Sequence, residues 1–141
     1  MTVRDHPQND DEGSVLLLII GYVLLALAVL FVCVCATDLY LAQKRIDSLA
    51  DAAALAGADG FTLVVDGENV RAELSDDGVR AQAQALWAAL PRDAELVSAD
   101  TPDGVSARVT VSTQWMPPLI APFVPEGVRL ESTATSRTAL Q

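Results

Sequence analysis

Between Val15 and Ala36 the chain carries no charged side chain: VLLLIIGYVLLALAVLFVCVCA. As a helix rising 1.5 Å per residue this run spans roughly 33 Å, enough to cross a hydrocarbon core of about 30 Å. Behind it follows TDLYLAQKRIDSLADAAALAGA, mixed in polarity, rich in helix formers and free of proline. Nothing there breaks a helix, so one element is expected to run from lipid into water.

The run also has features of a secretory signal peptide, with Val34-Cys35-Ala36 as an acceptable small-residue cleavage site. A signal's apolar region is typically shorter and preceded by basic residues. Here the leader is acidic, Asp10-Asp11-Glu12. A retained anchor is therefore the expected reading; the alternatives to an assembly component are a cleaved, secreted binding module and a membrane-tethered one. Lys44 and Arg45 beyond the run nearly balance Arg4 and the amino group before it, so the positive-inside rule does not fix orientation.

The expected divisions are a disordered tail over 1–14, a transmembrane helix over 15–36, its continuation over 37–58, and a small domain over 59–141. In the continuation Leu39, Ala42, Ile46, Leu49, Ala53 and Ala56 step by 3, 4, 3, 4 and 3. This is an apolar stripe on one helix face, suited to packing on the chain's own domain or on neighbouring copies. Gly57 and Gly60 supply a helix stop. Asp38, just past the run, either leans into water or bonds to a neighbouring helix and fixes its register.

Phe61 to Leu74 reads as two short β-prone runs around Asp66-Gly67, with Glu68 and Asn69 lengthening the loop beyond a two-residue turn. Ser75 is a candidate N-cap with Asp76 and Asp77 behind it. Val79, Ala83, Leu86 and Leu90 form an apolar face beside Trp87, and Pro91 closes this second helix. Glu95 to Ala99 precedes a Thr-Pro-Asp-Gly turn, and residues 105–115 alternate, predicting a strand with one buried and one wet face. MPPLIAPFVPEG holds four of the seven prolines and is expected to loop, leaving Leu119, Ile120, Phe123 and Val124 tucked away or forming a contact tip. Val128 to Thr138 alternates again. The expected fold is α+β: a long N-terminal transmembrane helix continuing into a small domain with a second helix and an antiparallel β-meander.

Charge and residue inventory exclude several functions. A net charge of −10 repels phosphate backbones, so no nucleic-acid partner is expected. The single histidine, His6, sits in the leader, which leaves no histidine for a catalytic triad in the folded part. No phosphate loop, HExxH or CxxC occurs. Gly104-Val105-Ser106-Ala107-Arg108 lacks the closing glycine of a nucleophile elbow. Asp66-Gly67-Glu68 lacks the later ligands of a calcium loop. Cys33 and Cys35, two apart on a helix, point to different sides and cannot bridge each other. No cofactor, metal, small-molecule substrate or enzymatic activity is expected.

A polar leader ending in Gly13-Ser14, a single apolar helix, Asp38 just past it, Tyr40, the pair Lys44-Arg45 and Asp51-Ala52-Ala53-Ala54-Leu55-Ala56 together resemble the N-terminal segment of TadE/TadG-like proteins of tight-adherence (Flp-type) pilus assembly, in the short actinobacterial form. The resemblance covers residues 12–58 and extends more loosely over 105–138. It implies a membrane-anchored, pilin-like accessory or minor component of a pilus or secretion assembly. It further implies a cytoplasmic N-terminus, an extracytoplasmic C-terminal domain, and partners among membrane lipid, other assembly proteins or copies of itself. The chain departs from larger relatives in having no Asp-x-Ser-x-Ser motif. It departs from major pilins in having Leu18 where a cut after Gly13 would call for glutamate.

Overall fold

A computed structural model describes residues 10–90, 94–118 and 121–137, with side chains from Ser14 onward. The fold is α+β, as the sequence predicts. Helix α1 (Asp10–Ala58) is followed by strands β1 (Thr62–Asp66) and β2 (Asn69–Glu73), helix α2 (Asp76–Ala88), and strands β3 (Glu95–Asp100), β4 (Ser106–Trp115) and β5 (Val128–Arg137). The chain divides into two compact units, one up to Thr37 and one from Asp38 onward.

The first unit is helix alone. It begins at Asp10, inside the leader expected to lack structure. Once the apolar run has nucleated a helix, each flanking residue adds a backbone bond without a new nucleation cost. Residues 1–9 of the expected tail lie outside the described part. The apolar side chains are bare, Leu17 73%, Leu18 75% and Tyr22 73% exposed. The helix is long and apolar enough to cross a membrane. At its end Thr37 Oγ1 donates to Cys33 O at 2.8 Å, so the hydroxyl is satisfied by the helix's own backbone.

In the second unit, Asp38–Ala58 of α1 lie against an antiparallel meander in the order β3-β4-β5. The shared core holds Ile46, Ala50, Ala53, Ala54 and Ala58 from α1, Val79 and Ala83 from α2, Ala99 from β3, and Ala107, Val109 and Val111 from β4. Alanine and glycine on the helix allow a close approach. A Cβ added to Gly57 would sit 2.9 Å from Val79 Cγ1 and 3.3 Å from Ala107 Cβ. Gly57 is thus inside the helix and serves packing, whereas the sequence reading makes it a helix stop. Gly60 and Gly78 face each other so closely that a Cβ on either would lie 2.6 Å from the other's carbonyl oxygen.

The sheet repays its alternation unevenly. β4 buries Ala107, Val109 and Val111, and its other face is only partly wet: Ser106, Thr110 and Ser112 are 3%, 9% and 3% exposed, while Arg108 and Gln114 on the same face are exposed. The expectation of one wet face thus holds at Arg108 and Gln114 and fails at Ser106, Thr110 and Ser112. β4 is the central strand, and its short polar side chains stand between longer cross-strand neighbours, Ser112 between Glu95 and Glu131. Thr110 Oγ1 and Thr133 Oγ1 meet at 2.8 Å across the β4–β5 pair. In β3 the register shifts between Leu96 and Ser98. This bulge lets Leu96 and Ala99, three residues apart, both pack toward the core, which strict alternation forbids.

β1 and β2 form a separate hairpin whose last pair is Asp66 with Asn69. The connection is thus the two residues Gly67-Glu68, tighter than predicted, and Gly67 takes the positive φ of 65° that such a turn needs. Ser75 caps α2 as expected, accepting from Gly78 N at 3.2 Å. α2 ends at Ala88, and Pro91 lies outside the described residues. Trp87 Nε1 donates to Ala94 O at 3.2 Å, tying the end of α2 to the start of β3.

Gly60→Ala should destabilise the folded unit by about 1–3 kcal/mol, because the new methyl group meets backbone that cannot swing aside. Gly21→Ala, with nothing within 4 Å of its added Cβ, should leave the melting temperature unchanged or slightly raised. Thermal unfolding of the full chain in detergent, followed by near-UV circular dichroism, compares the two.

Candidate assembly surface

The predicted stripe divides between core and surface. Ile46 is 2% exposed and Ala53 is fully buried, both within the chain's own core. Leu39, Ala42, Leu49 and Ala56 are half-buried. The fully buried face is turned toward Ala50 and Ala54 relative to the stripe.

Ala42, Arg45, Ile46 and Leu49 form one wall of an open groove of about 380 Å³. Ala94 and Thr113 to Met116 form the other. The lining mixes aliphatic side chains with one guanidinium, Arg45, and the polar Thr113 and Gln114.

Two carboxylates bracket the buried face. Trp115 Nε1 donates to Asp38 Oδ2 at 2.7 Å, and Ser132 Oγ donates to Asp47 Oδ1 at 2.8 Å. Asp38 and Asp47 are nine residues apart, which at 100° per residue places them about 180° from each other around the helix axis. One bonds to the end of β4 and the other to β5, so a rotation of α1 on the sheet would break at least one bond. The spacing is commensurate along the axis as well. Ser132 is paired with Val111. Nine helical residues advance about 13 Å, and so do the four strand residues from Trp115 to Val111.

Asp47 also accepts from Gln43 Nε2 at 3.0 Å and Lys44 Nζ at 3.3 Å. These bonds, that of Ser132 foremost, hold its carboxyl below the ordinary value of 3.8. In the sequence Asp47 falls off the apolar stripe, and Trp115 is only the last residue of the alternating run 105–115. The available signal is chemical: a half-buried indole N–H needs an acceptor, and Ser132 is a polar interruption on the core face between Leu130 and Ala134.

The expected contact loop is only partly described. Leu119 and Ile120 lie outside the described residues. Phe123 ends a short 3-10 turn, Ala121–Phe123, and is 83% exposed, while Val124 is half-buried. Gly127, at φ 64°, brings the chain back against the Trp115 carbonyl.

The serine of the elbow-like stretch has a structural task. Ser106 Oγ donates to Asp103 Oδ2 at 2.9 Å, and Asp103 Oδ1 accepts from the N–H groups of Val105 and Ser106. The Val105 N–H and the Ser106 hydroxyl lead in lowering the Asp103 carboxyl below 3.8. Asp103 thus caps the β3–β4 turn. Among the described residues no group of three or more His, Cys, Asp or Glu is placed to hold a metal.

The class defined by these features is a small α+β unit following a helix long enough to span a membrane, with an open groove and a helix–sheet clamp in the folded unit. Residues 13–60 match the family model described as "Putative Flp pilus-assembly TadE/G-like". No curated protein and no solved structure matches the chain.

Because the Asp47 carboxyl is lowered in the folded state, its contribution is present above about pH 4 and lost as pH falls through the folded value. Ser132→Ala should move that titration back toward 3.8 and flatten this part of the acid limb. Carboxyl-carbon NMR titration of Asp47 in both proteins reads the shift directly.

Proposed function

We propose that this protein is a single-pass, membrane-anchored structural component of a Flp/Tad-type pilus or secretion assembly, acting by helix and domain packing and not by catalysis. The observation that carries the reading is the coincidence of the Tad-type segment, residues 13–60, with a helix whose lipid-length part leads into a face bonded to a folded unit. The groove beside that face, with Ala42 and Leu49 on its helical wall, is the surface offered to other assembly components. The N-terminus is cytoplasmic and the folded unit extracytoplasmic, following the Tad-type resemblance.

Cross-linking tests the reading in a background lacking Cys33 and Cys35. Leu49→Cys should trap a partner subunit in intact membranes. Ala53→Cys, fully buried in the core, should not. A Leu49→Cys protein that stays monomeric in cells making the whole assembly would sink the proposal. Protease treatment of intact cells should digest the folded unit and spare an N-terminal epitope; the opposite pattern reverses the topology.

A further inference from the structure

Four of the eight glycines directly follow an aspartate: Asp59-Gly60, Asp66-Gly67, Asp77-Gly78 and Asp103-Gly104. In such a pair the glycine nitrogen can attack the aspartate side-chain carboxyl, because no glycine side chain hinders the five-membered ring that closes. All four aspartates are exposed, so access to water does not separate them. What separates them is the state of the attacking N–H.

At three of the pairs the fold holds that N–H. Gly60 N donates to Gly57 O at 3.1 Å, Gly78 N to Ser75 Oγ at 3.2 Å and Gly104 N to Thr101 Oγ1 at 3.0 Å. Gly60 and Gly78 are also pinned against each other's backbone, which leaves no room for the rotation that ring closure needs. At Asp103 the electrophile is engaged as well, its two carboxylate oxygens accepting from Val105 N, Ser106 N and Ser106 Oγ. Asp66-Gly67 has none of these restraints. Among the described residues no hydrogen bond engages the Gly67 N–H or the Asp66 carboxylate. Gly67 sits at the tip of the β1–β2 hairpin, at φ 65°, with nothing within 4 Å of an added Cβ. Asp66 and its partner Asn69 are both exposed, so opening this closing pair disturbs no core contact.

We infer that Asp66 is a site of spontaneous isoaspartate formation in the folded protein, and that the fold shields the other three pairs. The Gly67 nitrogen bonds to Asp66 Cγ, and its proton leaves with the carboxyl hydroxyl as one water, giving a succinimide. Water then adds to one of the two ring carbonyls. Addition at Cγ breaks the new bond and restores aspartate. Addition at the Asp66 backbone carbonyl breaks the original peptide bond and leaves Gly67 attached through Cγ. One water is lost and one regained, so neither mass nor oxidation state changes. The backbone gains a methylene at position 66, and a free α-carboxylate stands where the peptide carbonyl was. The Asp66–Asn69 pair is lost, and the hairpin tip thereby records the age of each molecule.

The full-length chain, held for weeks in detergent and neutral buffer, tests this by peptide mapping, with isoaspartate located by electron-transfer fragmentation. Ageing in water enriched in heavy oxygen marks each succinimide that has opened. Isoaspartate should accumulate at 66 about tenfold faster than at 59, 77 or 103, since those three pairs need a local opening first. In urea strong enough to unfold the region from Asp38 onward, where no N–H is held, the four rates should converge. A rate at 66 no greater than at the other three in the folded chain would overturn the inference. The same ranking in urea as in the folded chain would overturn it too, and would assign the preference to neighbouring sequence.

Discussion

The folded unit depends on how closely α1 can approach β4. Ala50, Ala53, Ala54, Gly57 and Ala58 give that face of the helix almost no side-chain height, and the strand answers with Ala107, Val109 and Val111. Such a contact excludes water through backbone proximity more than through bulk. It is also unforgiving, since one added methyl group has nowhere to go. α2 packs through the same device, with Val79 against Gly57 and Gly78 against Gly60. The second helix and the meander are thus built around a single small-residue seam.

A seam of alanines has little rotational preference of its own, because neighbouring helix faces look alike to the sheet. The polar bonds supply what the apolar surface lacks. Asp38 and Asp47 reach the sheet from opposite edges of the buried stripe, to Trp115 and Ser132. Each bond alone is modest in strength. Together they pick one rotation among several that hydrophobic burial would accept. The groove along Ala42 and Leu49 exists because that rotation leaves the flank of α1 uncovered.

Much of the fold was legible in residue patterns with a local cause. The Ser75 cap, the alternation of β4 and β5, and the hairpin at Gly67 each follow from a few neighbouring residues. The phase of α1 did not, since alanine occupies positions 50, 52, 53, 54, 56 and 58 and a periodicity argument cannot choose among equals. The β3 bulge was also hidden, because it breaks the period that makes strands readable. Both clamp bonds join residues more than seventy positions apart. Of the groove and the clamp, Ala42 and Leu49 were visible from the stripe and Asp38 from its place just past the apolar run, whereas Trp115, Asp47 and Ser132 required the tertiary pairing.

The matched advance of helix and strand also restricts how this segment can vary in length. From Asp38 to Gly57 the helix climbs about 28 Å, and from Trp115 to Ala107 the strand descends about 26 Å. Inserting or deleting one residue within that stretch of α1 would turn everything on one side of the change by about 100° and displace it by 1.5 Å. Gly57 would leave Ala107, or Asp38 would leave Trp115. The stretch is a ruler with fixed graduations: it can exchange side chains, but a single-residue gain or loss breaks the calibration at one end.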